Sequence, residues 1–282
     1  MVERKFELFL ILKLSTEFVL NYRKTFKEEK KMKKILLVLS ILLFFAGQAS
    51  ADLINPVRPI TPYTDGVMDL HDVFDSIAWG GSTPIHVVND QSNVAVWQSQ
   101  ASGGSIATFI FTDMGYSNDV IGMYSYADST KKLSIFQGNA SPGAQTFVTF
   151  FGDGSVKNNI TNQIVNGFGN TFGFYFDNNG GVVDIAYTED SLNNGIPLAL
   201  TYQGDGIKEI KIGPLANGKF TTEEWIIAFD GYPHGTGQYD YNDAVFLVES
   251  IQPAAVPEPA TMLLLGSGLI GLAGFARKRF KK

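Results

Sequence analysis

Eight dipeptides that favour tight turns punctuate the middle of this chain: Asn-Gly begins at positions 166, 179, 194 and 217, and Asp-Gly at 65, 153, 205 and 230. Asn, Asp and Gly enter turns with positive φ at little steric cost, so this spacing cuts the chain into short extended pieces. Between and around the turns lie runs rich in β-branched and aromatic residues, at 106–112, 120–127, 133–137, 145–151, 172–176, 182–188, 198–202, 207–212, 225–230 and 244–249. Ten short strands on Gly-rich connections predict an all-β fold, an antiparallel β-sandwich of jelly-roll-like form. Phe109-Ile110-Phe111 and Phe174-Tyr175-Phe176 read as strands covered on both faces, whereas Lys208-Glu209-Ile210-Lys211-Ile212 alternates and predicts one solvated face. One short helix is expected over 68–77, where Leu70, Val73, Phe74 and Ile77 fall at helical spacing. The less regular stretch up to about Gln100 reads either as a separate strand-bearing lobe, with a sub-boundary near 100, or as the first strands of the same sandwich.

The two ends have a different character. Met32-Lys33-Lys34, an apolar stretch of 12 residues from Ile35 to Ala46, and Ala49-Ser50-Ala51 reproduce the charged, apolar and small-residue regions of a secretory signal peptide over 32–51. Cleavage is expected after Ala51. Residues 1–31 precede a signal that starts with its own methionine, and they are expected to be an untranslated or disordered extension; the alternative is a working N-terminal extension.

At the other end, Val256-Pro257-Glu258-Pro259 leads into 17 apolar residues, 260–276, and then into Arg277, Lys278, Arg279, Phe280, Lys281 and Lys282. The prolines hold the preceding chain extended, the apolar run predicts a single transmembrane helix, and the five cations favour the cytoplasmic side. This ordered set over 253–282 closely resembles the PEP-CTERM sorting signal of Gram-negative bacteria, with Pro257, Glu258 and Pro259 as the motif and the Arg/Lys cluster as the positive tail. The resemblance implies processing by an exosortase-type membrane peptidase. The protein would be exported through the inner membrane, anchored transiently, and then delivered to the cell surface or the extracellular space. A plain membrane anchor is the simpler alternative, but it leaves the Pro-Glu-Pro unexplained.

Removing both ends exposes the charge of the body, residues 52–252. Of the chain's 22 Lys/Arg and 28 Asp/Glu, 15 and 5 lie in residues 1–51 and in the tail after Pro259, leaving 7 against 23 over residues 52–259, a formal charge of −16. Such a surface repels phosphate backbones and disfavours nucleic acid as a partner. Acidity outside the cell suits calcium, although solubility alone accounts for most of the carboxylates. The absence of cysteine excludes disulfides, thiolate metal sites and thiol nucleophiles. Stability must therefore come from an apolar core, which a body of this length can bury.

The densest acidic cluster lies where an apolar strand, 225–230, passes through a Gly-rich loop to a second apolar strand. Asp230, Asp240, Asn242 and Asp243 offer hard oxygen ligands, and together they form a candidate calcium site. A solvated hairpin loop with Asp and Asn capping its turns is the competing reading. The run Asp240-Tyr241-Asn242-Asp243-Ala244-Val245-Phe246, with Phe172 to Phe176 and Tyr187 to Asn193 upstream, resembles a secreted bacterial domain family of unknown function over about 145–250. Here Phe229-Asp230-Gly231 stands where that family more often has Glu-Asp-Leu. The resemblance implies an extracellular β domain and no established enzymatic activity.

Other motifs fail on context. Gly266 to Gly271 matches a dinucleotide fingerprint but lies inside the apolar tail. Asp177-Asn178-Asn179-Gly180-Gly181 lacks the spacing of an EF-hand loop and reads as a tight turn. His71, His86 and His234 form no zinc-binding pair, and no Gly-x-Ser-x-Gly is present. The chain is thus expected to be a non-enzymatic surface or matrix protein associated with exopolysaccharide or biofilm. The alternative is a carbohydrate-binding module that uses Trp79, Trp97, Trp225 and tyrosines, or a secreted glycosidase that uses two of its many carboxyl groups.

Overall fold

The computed structural model describes residues 50–52, 55–56, 60–64, 68–100, 104–111, 118–137, 140–178, 185–231 and 239–257. In chain order the strands are β1 (Ser50–Asp52), β2 (Gln91–Ser92), β3 (Trp97–Ser99), β4 (Ser105–Phe111), β5 (Val120–Ser125), β6 (Asp128–Gln137), β7 (Gln145–Phe150), β8 (Val156–Asn158) and β9 (Ile164–Val165). They continue with β10 (Thr171–Asp177), β11 (Ala186–Tyr187), β12 (Ala199–Gln203), β13 (Glu209–Ile210), β14 (Gly218–Lys219), β15 (Trp225–Phe229), β16 (Ala244–Val248), β17 (Ile251–Pro253) and β18 (Ala255–Pro257). One helix, α1 (Leu70–Ile77), precedes β2.

Two large antiparallel sheets form a sandwich. The eight-stranded sheet runs β2-β12-β15-β16-β4-β7-β8-β9, and the six-stranded sheet runs β17-β3-β10-β5-β6 with β11 beside β10. Their facing sides bury aromatic rings from both sheets. Trp97 meets Trp225 at 5.5 Å between ring centroids, Phe174 meets Phe246 at 5.4 Å, and Phe109 meets Phe136 at 5.5 Å. These are the edge-on geometries that aromatic quadrupoles favour. β3 lies inside the six-stranded sheet and β2 pairs with β12, so the stretch before Gln100 supplies strands to the same sandwich. Asp52–Ala255 forms one compact unit. β1 and β18 form a separate two-stranded sheet, and β13 pairs with β14 in another.

The eight-stranded sheet carries a second core on its other side. Leu200, Tyr202, Ile226, Ala228, Val245 and Leu247 point there and meet Leu70, Val73, Phe74 and Ile77 of α1. The apolar spacing of α1 aims one face at the sheet, and the Phe74 ring stands edge-on to Tyr202 at 4.8 Å. Its start is set by Asp69, which accepts from the backbone N–H groups of His71 and Asp72 while the Asp72 carboxylate accepts from the Asp69 N–H. This reciprocal cap satisfies donors that the first turn leaves open. With cores on both sides, all ten residues of β15 and β16 are buried, the both-faces burial also found at Phe174-Tyr175-Phe176 in β10.

Each of the ten expected strands contains observed strand, with shifted ends. The run 182–188 is strand only at Ala186–Tyr187, residues 179–184 lying outside the described set. The 207–212 run keeps its alternation, with Ile210 and Ile212 buried under the second core, but only Glu209–Ile210 is extended and it stays outside both large sheets. The expected signal helix and transmembrane helix also fall outside the described residues. Among the described residues no helix is long and apolar enough to cross a membrane.

The two-core arrangement makes Trp225 a keystone, since it is fully buried between the sheets. Trp225→Ala is expected to lower the free energy of unfolding by about 3–5 kcal/mol. Ile164→Ala, at a side chain 55% exposed, should stay within about 0.5 kcal/mol of wild type. Denaturant titration of both variants checks this; equal effects would show that the sheets do not share that core.

Candidate functional site

β15 and β16 pair in antiparallel register from Trp225 with Val248 to Phe229 with Ala244. This pairing delivers Asp230-Gly231 and Asp243 to the same end of the sandwich. Asp230 is 2% exposed and its N–H donates to Leu198 O at 3.0 Å. Asp243 is also buried, and its Oδ2 accepts from the Gly231 N–H at 2.5 Å. The structure therefore brings two of the four expected ligand residues together around Gly231.

The other two diverge. Asn242 is buried but turns its amide toward the start of α1, where Nδ2 donates to Met68 O at 2.5 Å. Asp240 is half-buried on the approach to β16. Between them Tyr241 adopts a left-handed φ of 56° and donates its hydroxyl to Pro197 O at 2.8 Å, a backbone reversal that sends successive side chains to different surroundings. Residues 232–238, including His234, lie outside the described set.

A residue that sequence reasoning treated as part of a simple turn joins the site instead. Asn178 directly follows β10 of the opposite sheet, is 3% exposed, and donates Nδ2 to Gly231 O at 3.1 Å. Asp177 pairs with Val120, and the buried Asp119 immediately precedes that strand, so more carboxylates stand at this end of the six-stranded sheet. Gly231 itself is not a positive-φ turn residue. An added Cβ there would come within 2.3 Å of the Phe176 ring, so glycine is required for the close approach of the two sheets. Nothing local in Asp230-Gly231 signals this, because Phe176 is a distant neighbour in sequence.

The donors gathered here are hard oxygens, the kind calcium takes. Among the described residues no three His, Cys, Asp or Glu side chains are placed to share an ion. A cation at this end would therefore draw on amide or carbonyl oxygens beside its carboxylates. The Oδ1 atoms of Asn178 and Asn242 are buried without a hydrogen-bond partner among the described residues. Leaving such an oxygen unsatisfied costs about 1–3 kcal/mol.

A second acidic feature is a cavity of about 100 Å³ lined by Thr108, Ile210, Ile212 and Leu247, with Glu224 and Glu249 among its walls. Burial raises both carboxyl pKa values above the usual glutamate range. At Glu249 the neighbouring Glu224 adds to the rise; at Glu224 hydrogen bonds from Thr221 oppose it and Glu223 reinforces it. The other histidines have structural settings. His71 lies 3.7 Å from Asp69 at the helix start, and Nδ1 of His86 accepts from the N–H groups of Val88 and Asn89. Trp97 and Trp225 are core residues; Trp79 is 42% exposed, with the Lys211 ammonium 4.4 Å from its ring centroid.

These features define an acidic β-sandwich with an oxygen-rich end. Residues 255–279 match the PEP-CTERM protein-sorting motif. The chain accordingly carries that motif at its C-terminus, which implies an exported protein sorted to the cell surface through exosortase processing. Pro257 ends β18; Glu258, Pro259, the apolar run and the tail cations fall outside the described residues. No curated protein and no solved structure matches the chain, and the family of the body is not identified.

Because Glu224 and Glu249 bind protons more readily folded than unfolded, their contribution is fully present below 4.5 and is lost as pH rises through their folded-state values. Melting temperature should therefore fall, through this pair, as pH rises above 4.5. Glu249→Gln should shrink the fall and raise stability at the higher pH. An unchanged pH profile in that variant would show that the pair does not interact as described.

Proposed function

We propose that this protein is a non-catalytic component of the cell surface or extracellular matrix, handed over by an exosortase-type peptidase, whose acidic β-sandwich is stabilised by calcium. The observation that carries the reading is the sorting motif at 255–279. It gives the chain an address, while the catalytic groups of the sorting step belong to the peptidase. The formal charge of −16 over residues 52–259 and the meeting of Asp230, Asp243 and Asn178 around Gly231 support calcium. Asp240 and Asn242 belong to the same acidic segment, with the Asn242 amide turned toward Met68. An acidic domain of this kind can associate with exopolysaccharide through shared divalent cations, the role we assign it in a biofilm matrix.

Calcium that binds only the folded state raises stability by about 2.7 kcal/mol at a hundredfold excess over Kd. For a body of this size that is about 5–10 °C in Tm. The full chain in detergent should show such a rise with millimolar calcium chloride, and Asp243→Ala should abolish most of it. A flat titration would retire the calcium role while leaving the sorting assignment in place. For sorting, replacement of Pro257, Glu258 and Pro259 by alanine should leave the chain at full mass in the inner-membrane fraction. Normal delivery of that variant to the surface would contradict exosortase processing.

A further inference from the structure

We infer that Asn178 supplies a side-chain oxygen ligand from the six-stranded sheet, so that a calcium ion at the Asp230–Asp243 end binds the two sheets together. This rests on the calcium reading above and adds a ligand from the other half of the sandwich. Three segments meet at this point: Asn178 follows β10 of one sheet, whereas Gly231 follows β15 and Asp243 precedes β16 of the other. The Asn178 carboxamide is held against the Gly231 peptide by its Nδ2 bond to Gly231 O, and the Gly231 N–H is held by Asp243. That bond assigns the nitrogen and oxygen of the amide, because only Nδ2 can donate to a carbonyl. Oδ1 is left in the buried space beside Gly231 with no hydrogen-bond partner among the described residues.

A carbonyl-type oxygen beside Gly231, where the two segments that bear the buried Asp230 and Asp243 meet, has the chemistry of a calcium ligand. Asn oxygens complete calcium sites that hold too few carboxylates to fill the coordination sphere. The Asp119 and Asp177 carboxylates at the same end of the six-stranded sheet add negative potential. The ion is a bridge in the strict sense: Phe176 already packs against Gly231 so closely that no side chain fits between, and a shared cation would hold the polar edge of the same junction.

The test compares Asn178→Ala and Asn178→Asp with wild type in the full chain, with calcium chloride as the probe. Calorimetric Kd, the calcium-induced change in Tm, and near-ultraviolet circular dichroism as a check on folding are the readouts. Asn178→Ala should weaken calcium at least tenfold. Asn178→Asp retains an oxygen ligand but loses the Nδ2 donor, so it should melt lower than wild type without calcium, yet bind the ion at least as tightly and show the largest Tm rise. Equal Kd for wild type and Asn178→Ala would overturn the Asn178 assignment and leave the calcium reading intact. Equally weakened binding in both folded variants would also overturn it, assigning Asn178 a purely donor role. No calcium binding by wild type, as expected if an ordered water meets Oδ1, would overturn both readings together.

Discussion

The burial of one strand pair on both faces is the constraint on which the rest of the structure depends. β15 and β16 have neither the alternation of a half-solvated sheet nor a polar face to offer water. They must be covered twice, by the aromatic face of the six-stranded sheet on one side and by α1 and the Ile210–Phe220 region on the other. Once that pair is enclosed, its register carries Asp230-Gly231 and Asp243 to one place. The polar end of the sandwich is thus a consequence of an apolar requirement.

Much of this was legible because it is local. Turn dipeptides mark where the chain can reverse, and Gly154, Gly167, Gly195 and Gly206 do adopt positive φ after Asp or Asn. The apolar spacing of Leu70, Val73, Phe74 and Ile77 marked α1, and the continuous run Phe174-Tyr175-Phe176 marked β10 as a strand with two covered faces, while β15 and β16 were legible as apolar strands. Short strands such as β2, β3 and β17 were not legible, since two or three residues carry no periodicity and are extended only because a neighbouring strand accepts them.

The candidate site divides along the same line. Asp230 and Asp243 could be grouped from sequence because a hairpin-like pair joins them. Asn242 could not be separated from them, because its divergence follows from the left-handed φ of Tyr241 and from Met68, which precedes it by 174 residues. Asn178 and Gly231 were invisible as partners for a similar reason: they are 53 positions apart in sequence and meet only through the inter-sheet contact. Function shows a matching split. The sorting motif is a short local pattern and can be read directly, whereas the properties of its cargo arise from residues that only the fold assembles.

The central claim is that the six-stranded sheet and the α1 layer enclose one strand pair of the eight-stranded sheet, and that a cation tightens the polar end where the two sheets meet. Peptide-resolved hydrogen exchange on the full chain, with and without calcium chloride, tests it most directly. The account predicts that residues 225–229 and 244–248 exchange slowest in both conditions. It also predicts that calcium adds protection jointly at Phe176 to Asn178, at Asp230-Gly231 and at Asp243, in segments from both sheets. Slowest exchange elsewhere, or calcium protection confined to one sheet, would contradict it.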